Sequence, residues 1–175
     1  MGRTVALLRA VNVGGRKLPM ADLRALCTEL GWGDVATYIQ SGNVVFTAAG
    51  GAGAIEAALE AAIEARFALK VPVIVRTAGE WAALAAGNPF KGEPPNRVML
   101  LLAKGKPAAG AEEVIQARAQ AGEQIVRVGD ALWFHYPNGA GTSKLTPSLI
   151  DRAVGAPATA RNFNTVLKLE EMLAG

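Results

Sequence analysis

The stretch that decides the fold covers residues 4–17 and reads Thr-Val-Ala-Leu-Leu-Arg-Ala-Val-Asn-Val-Gly-Gly-Arg-Lys. Its apolar start predicts a buried strand, and its polar end predicts a short basic loop with two glycines that opens a helix. Such a loop is suited to holding an anion, because it offers backbone N–H groups, a helix N-terminus and the two cations Arg16 and Lys17. The loop is therefore the first candidate binding site.

Length and composition narrow the class of protein. The chain has 175 residues, enough for one domain or two small associated halves. It has one cysteine, Cys27, which we interpret as a small buried hydrophobe, and one histidine, so neither a disulfide nor a zinc site is expected. The acidic residues are too scattered to predict a magnesium site. We predict no metal and no cofactor.

Charge and hydropathy favour a cytoplasmic protein. The longest strongly apolar run, Val98–Ala103, is far shorter than the roughly 20 residues that span a bilayer. Arg9 ends the first apolar run too early for a signal peptide. The net charge of +3 is too small to identify a nucleic-acid binder by itself. We expect a cytoplasmic protein that does not bind membranes, and the sequence does not indicate its oligomeric state.

Residues 4–76 predict the order β-α-β-β-α-β. Apolar residues recur at helical spacing at 20–30 and 55–67, and Ser41-Gly42-Asn43 predicts a turn between two strands. This is the ferredoxin-like order, with two helices on one face of an antiparallel sheet. Alternating strand directions place loop 12–18, turn 41–43 and the joint near 68–70 at one end of the sheet. Polar groups from three segments should meet there.

The second half repeats part of this pattern. Residues 97–136 predict strand, helix and hairpin, with the helix at roughly 111–119. Gly42-Asn43-Val-Val-Phe46 and Gly129-Asp130-Ala-Leu-Trp-Phe134 look alike, which favours an internal duplication. We then predict a glycine-rich loop at 138–144, a helix at about 146–154 and a terminal helix at 161–173.

The predicted fold class is α+β. It has two ferredoxin-like βαββ-type halves with antiparallel sheets, followed by C-terminal helices. The capping box Thr77-Ala-Gly-Glu80 starts a helix that ends at Gly87. The domain boundaries follow from that helix and from the prolines after it: a βαββαβ half with its following helix at 1–87, a proline-rich connector at 88–96, and the second βαββ half with C-terminal helices at 97–175.

Four stretches, in order along nearly the whole chain, resemble a known family. They are Leu7-Leu-Arg-Ala-Val-Asn-Val-Gly-Gly15, Tyr38-Ile-Gln-Ser-Gly-Asn-Val-Val-Phe46, Ser143-Lys-Leu145 and Arg161-Asn-Phe-Asn-Thr-Val166. The chain resembles the bacterial family of unknown function DUF1697, which more often has Gly-Ile at 10–11 and Trp at 163. The resemblance implies a compact α+β domain built from two similar halves. It implies no reaction and no catalytic residues.

The first group of candidate ligand-binding residues lies in the loop and turn of the first half. Its members are Arg9, Asn12, Gly14, Gly15, Arg16, Lys17, Gln40, Ser41 and Asn43. Arg9 interrupts an apolar strand, so it either forms an ion pair or meets a ligand on the sheet face beside Asn12. The loop lacks the spacing of a Walker or dinucleotide motif, so its glycines and cations are equally compatible with a plain turn. Ser41 has no histidine nearby in sequence, which favours hydrogen bonding over nucleophilic attack.

The second group comprises Lys144, Arg161, Asn162 and Asn164. The loop before Lys144 resembles a phosphate cradle in composition but not in spacing. We place the other three at the start of the terminal helix, where Thr159, Asn162 or Asn164 could simply cap it. Arg161 at that position is unfavourable unless an acid or an anion lies beside it.

These features lead to one leading function and two alternatives. The leading hypothesis is a binding module for a phosphate-bearing or other anionic ligand, including a nucleotide or nucleic acid. Only Tyr38 and Phe46 supply rings on the first half's strands, which disfavours base stacking on an open sheet. The alternatives are a metal-independent enzyme using Ser41, His135 or a carboxylate, and a protein-interaction module. No catalytic residue is assigned.

Overall fold

The computed structural model describes residues 2–175 and divides into two compact units. The first unit comprises the residues up to Ala82 together with Leu169–Gly175, and the second comprises Ala83–Lys168. The proline-rich residues 88–96 lie within the second unit. A predominance of antiparallel sheet and helix in both units confirms the α+β class.

The first unit has the predicted β-α-β-β-α-β order. Its elements are β1 (Gly2–Leu8), α1 (Met20–Glu29), β2 (Gly33–Thr37), β3 (Asn43–Ala48), α2 (Ala52–Phe67) and β4 (Val73–Thr77), with α3 (Ala78–Ala86) beginning in this unit. The sheet order is β2-β3-β1-β4 and all neighbours are antiparallel. This is the ferredoxin-like arrangement, so the prediction for the first half is confirmed.

The core of the first unit lies between the sheet and its two helices. Phe46 from β3 is fully buried and stacks on Trp32, with ring centroids 4.3 Å apart. Leu23 of α1 and Ile63 of α2 are equally buried. Cys27 belongs to the same core, and burial raises the pKa of its thiol to about 12, which confirms its interpretation as a small hydrophobe.

The central strands of the first sheet bury apolar residues on both faces. On the face that points away from α1 and α2, Val5, Leu7, Val45 and Ile74 are each no more than 2% exposed, and the polar Arg3, Thr47 and Arg76 are half-buried. A sheet that stacks bases needs an open face with exposed rings. The first sheet therefore offers no surface of that kind.

The second unit has the same strand order as the first. Its elements are β5 (Val98–Ala103), α4 (Ala111–Gln116), β6 (Gln124–Val128), β7 (Ala131–His135), α5 (Pro147–Val154) and β8 (Ala158–Asn162), followed by α6 (Phe163–Ala174), with short 3₁₀ helices at Pro95–Arg97 and Ala140–Thr142. The sheet order is β6-β7-β5-β8, again fully antiparallel. Two units with one strand order support an internal duplication. Helix α4 ends at Gln116, earlier than the predicted residue 119.

Strand β8 corrects the prediction for the end of the chain. Residues 158–162 pair with β5, with Arg161 opposite Leu100, instead of forming the start of a terminal helix. The second half is thus βαββαβ, and not βαββ followed only by helices. Ala-Thr-Ala-Arg-Asn has little intrinsic strand preference, so it is the pairing with a buried central strand that determines its conformation. Arg161 therefore lies in a strand and not in the first turn of a helix, contrary to the prediction.

Helix α3 begins with the predicted capping box. The Glu80 backbone N–H donates to Thr77 Oγ1 at 3.2 Å, and the Thr77 backbone N–H donates to Glu80 Oε1 at 2.8 Å. This reciprocal pair satisfies donors that the first turn of a helix leaves unpaired.

Among the described residues, no helix has the length and apolarity needed to cross a membrane.

Candidate functional site

Three connections of the first unit meet at one end of its sheet. The Asn12 side-chain Nδ2 donates to the Gln40 carbonyl at 2.7 Å, which ties the β1–α1 loop to the β2–β3 turn. Arg16 Nη2 donates to the Lys70 carbonyl at 2.8 Å, which ties the same loop to the α2–β4 connection. The predicted convergence of the three segments is confirmed.

The β1–α1 loop is built around a tight turn at 13–16. Gly14 and Gly15 both have positive φ, 54° and 83°, and the Arg16 backbone N–H donates to the Val13 carbonyl at 3.0 Å. Two successive positive φ angles define a type I′ turn, which glycine adopts without steric cost. The turn itself thus explains why both glycines are present.

Asn12 holds the loop closed. Its side chain accepts a hydrogen bond from the Leu18 backbone N–H at 2.9 Å and donates to the Leu18 carbonyl at 3.0 Å. Its backbone is left-handed, with φ of 57°, a conformation that asparagine tolerates better than most residues. The amide of Asn12 therefore shapes the loop and fixes it against Gln40.

The prediction that Arg9 interrupts the first strand is wrong. Strand β1 ends at Leu8, and Arg9 follows it, half-buried, with its backbone N–H donating to the Pro72 carbonyl at 3.1 Å. The side chain thus belongs to the edge where the loops meet and not to a sheet face. The apolar run continues past the strand because Val11 and Leu18 of the loop are themselves buried.

The polar residues of the β2–β3 turn differ in burial. Gln40 and Ser41 are exposed, whereas Asn43 is fully buried. The Asn43 Nδ2 donates to the Tyr38 carbonyl at 3.0 Å and to Ser41 Oγ at 3.2 Å. The Asn43 amide is therefore directed into the turn, while Gln40 remains on the surface.

Backbone strain is concentrated in these three connections. Four of their non-glycine residues have positive φ between 54° and 57°: Ala10, Asn12, Ile39 and Ala68. Left-handed backbone costs roughly 1–2 kcal/mol for a residue with a Cβ, and Ile39 is β-branched. Such residues tend to cluster at binding and active sites, so this end of the sheet is the natural place to look for a ligand.

An open depression of about 660 Å³ lies at the start of α1. It is lined by Asn12, Gly15, Arg16, Lys17, Pro19, Met20, Ala21, Arg24 and Gln40. Pro19 is the N-cap of α1, and no side chain caps this helix end. The N–H groups of its first turn and the positive end of its dipole therefore face the depression without a capping side chain.

Three cations border the depression. Arg16 is fixed by neutral carbonyls, since its Nε donates to Ala10 at 3.0 Å and its Nη2 to Lys70. Lys17 is exposed. Arg24 donates to the hydroxyl of Thr37, which carries no charge. Arg24 is not among the residues predicted from the sequence, although its position one turn after the helix start could have indicated it.

The second group of predicted residues lies in the second unit. Lys144 and Asn164 are exposed, whereas Arg161 is buried, and its Nη1 donates to Thr159 Oγ1 at 2.6 Å and to the Ala160 carbonyl at 2.9 Å. Burial lowers the pKa of Arg161 to about 10. Asn162 Oδ1 accepts from the Thr165 backbone N–H at 3.0 Å, so Asn162 caps α6.

A buried carboxylate organises the loop that contains Ser143. Glu123 is 3% exposed, and its carboxylate accepts hydrogen bonds from the Ser143 hydroxyl at 2.5 Å and from the Ala121 backbone N–H at 2.7 Å. Ser143 Oγ in turn accepts from the Leu145 backbone N–H at 3.1 Å. The Ser143 hydrogen bond is the main cause that lowers the pKa of Glu123. Burial, with a smaller contribution from the Glu123 charge, raises the pKa of Tyr136 to about 12.

Replacing Ser143 by alanine should destabilise the protein in a pH-dependent way. Because the pKa of Glu123 is lower in the folded state than in the unfolded state, its carboxylate stabilises the fold at pH values above the unfolded pKa. This stabilisation is lost as the pH falls through the folded-state pKa. Ser143→Ala should thus have a lower free energy of unfolding than wild type at neutral pH. As the pH falls, this difference should decrease until only the cost of losing the hydrogen bond from the Leu145 backbone N–H remains. Urea unfolding at stepwise lower pH measures this, with exposed Ser148→Ala as the control. A pH-independent difference would contradict it.

His135 makes a separate contact with a carboxylate. Its Nε2 lies 3.3 Å from Glu93 Oε2, and its ring lies 5.5 Å from the ring of Phe90. His135 belongs to the second unit and Ser41 to the first. Within residues 2–175, no three or more His, Cys, Asp or Glu side chains are grouped to hold a metal ion.

Comparison with known proteins supports the fold and leaves the activity open. A family model described as "Protein of unknown function (DUF1697)" matches residues 1–133. A solved structure, that of conserved bacterial protein SP0830 from Streptococcus pneumoniae, is similar with a TM-score of 0.72 and 21% sequence identity, covering 98% of each chain. No curated protein matches the chain.

Proposed function

The chain belongs to the DUF1697 family, whose function is unknown, and we propose from the site itself that it is a small cytoplasmic module that binds a phosphate-bearing or other anionic ligand at the start of α1. The observation that carries the proposal is the meeting of three cations with a helix N-terminus that no side chain caps. Backbone N–H groups and the helix dipole favour a negative group at such a position.

The charges around the depression support this proposal. Within residues 2–175, Arg16 and Arg24 donate to neutral carbonyl and hydroxyl oxygens, which leave their positive charges uncompensated. Asp22 is the acid of the first turn, but it does not line the depression. The hydrogen bond and charge of Glu29 raise the pKa of Arg66, and the charge of Asp22 adds a smaller contribution. An anion in the depression would therefore meet cationic side chains and backbone donors without an opposing carboxylate in its lining.

The size of the depression favours a small ligand. About 660 Å³ is within the range of pockets that bind metabolites and nucleotides. A nucleic acid would need a longer positive track or exposed rings for its bases, and the central strands of the first sheet bury their apolar residues on both faces. We therefore favour a nucleotide or phosphorylated small molecule over a nucleic acid.

Reversing the charges of Lys17 and Arg24 should weaken binding by about tenfold or more, because each charge-assisted contact contributes roughly 1.5–3 kcal/mol. The measurement is the melting midpoint of wild type and Lys17→Glu/Arg24→Glu with nucleoside phosphates, inorganic phosphate and short oligonucleotides at two salt concentrations. A ligand that binds the native state raises the midpoint. Wild type should respond to a small phosphate compound at both salt concentrations, and the variant should not.

The matched control is Lys91→Glu/Lys106→Glu, which changes the net charge equally at two exposed positions of the second unit. If both variants lose the response alike, the effect comes from overall charge and the proposed site is wrong. A response to every polyanion that fades with salt would indicate counterion release on a basic surface instead of a pocket.

A protein-interaction module is the second candidate, and one observation favours it. Val13 and Ile39 are 55% and 49% exposed, on two of the connections that meet at this end of the sheet. Exposed large apolar side chains next to a polar site are typical of surfaces that contact a partner. An absence of any response to the anions above would favour this candidate.

A further inference from the structure

In the first unit, an ion pair crosses the groove between helices α1 and α2. Between α1 and α2 lies a shallow groove that includes Leu26, Leu30 and Ala62. Arg66, in the last turn of α2, crosses it to Glu29 at the end of α1, with two contacts of 2.7 and 2.8 Å between guanidinium and carboxylate. A cation from one helix is thus matched by an anion from the other.

The corresponding helix pair of the second unit lacks this match. A groove of about 310 Å³ between α4 and α5 contains Arg118, just after the end of α4, and Arg152, in the last turn of α5. No acid is among its lining residues. Within the part of the chain that the structure describes, neither guanidinium has a hydrogen-bond or ion-pair partner. Glu112 of α4 lies 3.7 Å from Arg127 instead.

The remaining walls of this groove are mostly apolar. Val114 is 56% exposed there, beside Leu149 and Ala153. The Thr146 hydroxyl caps α5 by accepting from the Leu149 backbone N–H at 3.2 Å. Two cations on one groove repel each other unless an anion lies between them, and guanidinium groups pair with carboxylate and phosphate in bidentate geometry.

We propose that the α4–α5 groove binds a small organic anion whose carboxylate or phosphate is held between Arg118 and Arg152 and whose carbon skeleton contacts Val114 and Leu149. The site is distinct from the depression at α1 and does not depend on the function proposed for it. In this view the ligand takes the place that the Glu29 carboxylate occupies in the first unit.

The Glu29–Arg66 pair of the first unit suggests a substitution that tests this proposal. Arg118→Glu should recreate the acid–arginine pair of the first unit, so it should fold with a melting midpoint at or above that of wild type. It should lose anion binding at the same time, by about tenfold or more. Loss of binding from misfolding would instead lower the midpoint. The reciprocal Arg152→Glu should behave in the same way.

The experiment is a residue-resolved NMR titration of the full chain with succinate and with inorganic phosphate at constant ionic strength. We expect saturable shifts of the amides at 114–118 and 146–153 with at least one probe, absent in Arg118→Glu and retained in Lys17→Glu/Arg24→Glu. Saturation with succinate alone would identify a carboxylate site, and with phosphate alone a phosphate site. The proposal is overturned if neither probe saturates these amides or if Arg118→Glu binds as wild type does.

Discussion

Replacing Gly42 by alanine is expected to destabilise the first unit by about 2–5 kcal/mol. Gly42 has φ of +90°, and a Cβ there would lie 2.7 Å from Val11 Cγ2 and 2.9 Å from Leu8 Cβ. Left-handed backbone costs alanine roughly 1–2 kcal/mol, and overpacking in a filled core adds roughly 1–3 kcal/mol. Leu8 Cβ is fixed to the end of β1, whose last N–H donates to the Gly42 carbonyl at 2.9 Å, so it cannot move away without breaking that bond.

The matched control for this substitution is Gly14→Ala. Gly14 also has positive φ, 54°, but a Cβ there would meet no atom within 4 Å. It should therefore show only the conformational cost of roughly 1–2 kcal/mol. Chemical denaturation of both variants measures the difference. Equal losses would mean that the β2–β3 turn accommodates the added methyl group and that the close approach of Gly42 to Leu8 and Val11 carries no cost.

Replacing Asn12 by alanine is expected to have the next largest effect, a loss of about 2–4 kcal/mol. The variant leaves the N–H and carbonyl of Leu18 without their side-chain partner, and Leu18 is fully buried. An unsatisfied buried polar group costs roughly 1–3 kcal/mol. Alanine is also less tolerant than asparagine of the left-handed backbone at this position.

Two variants separate the contributions of Asn12. Asn12→Gly accepts the left-handed backbone and removes only the side-chain hydrogen bonds, so it should lose less than Asn12→Ala. Asn164→Ala changes an exposed asparagine of α6 and should lie close to wild type. Unfolding free energies from urea titration decide the order. If Asn12→Ala were no less stable than Asn164→Ala, the amide of Asn12 would have no part in holding the loop.

The first half of the fold follows from local sequence signals. Helical spacing from Met20 onward, the turn at 41–43 and the apolar strands around them agree with one another, and the ferredoxin-like order then dictates that the loops meet at one end. The capping box at Thr77 and Glu80 is similarly local, since both partners lie within four residues. Signals of this kind need no knowledge of distant contacts.

Strand β8 and the roles of individual polar residues do not follow in this way. Residues 158–162 are a strand because β5 lies beside them, a contact across more than fifty positions of sequence that no local preference encodes. The sequence shows that Asn43 and Arg16 are polar. It does not show that Asn43 is buried or that Arg16 donates to the Lys70 carbonyl. Arg24 enters the candidate site only because α1 turns it towards Thr37.

The first unit is interrupted in sequence, and this affects how it is made. Its residues up to Ala82 are joined by Leu169–Gly175, and Arg3 Nε donates to the Met172 carbonyl at 3.2 Å. During synthesis the first sheet leaves the ribosome long before these last residues exist. Because the second unit lies between these two parts of the chain, the first unit stays incomplete until the second unit has been translated.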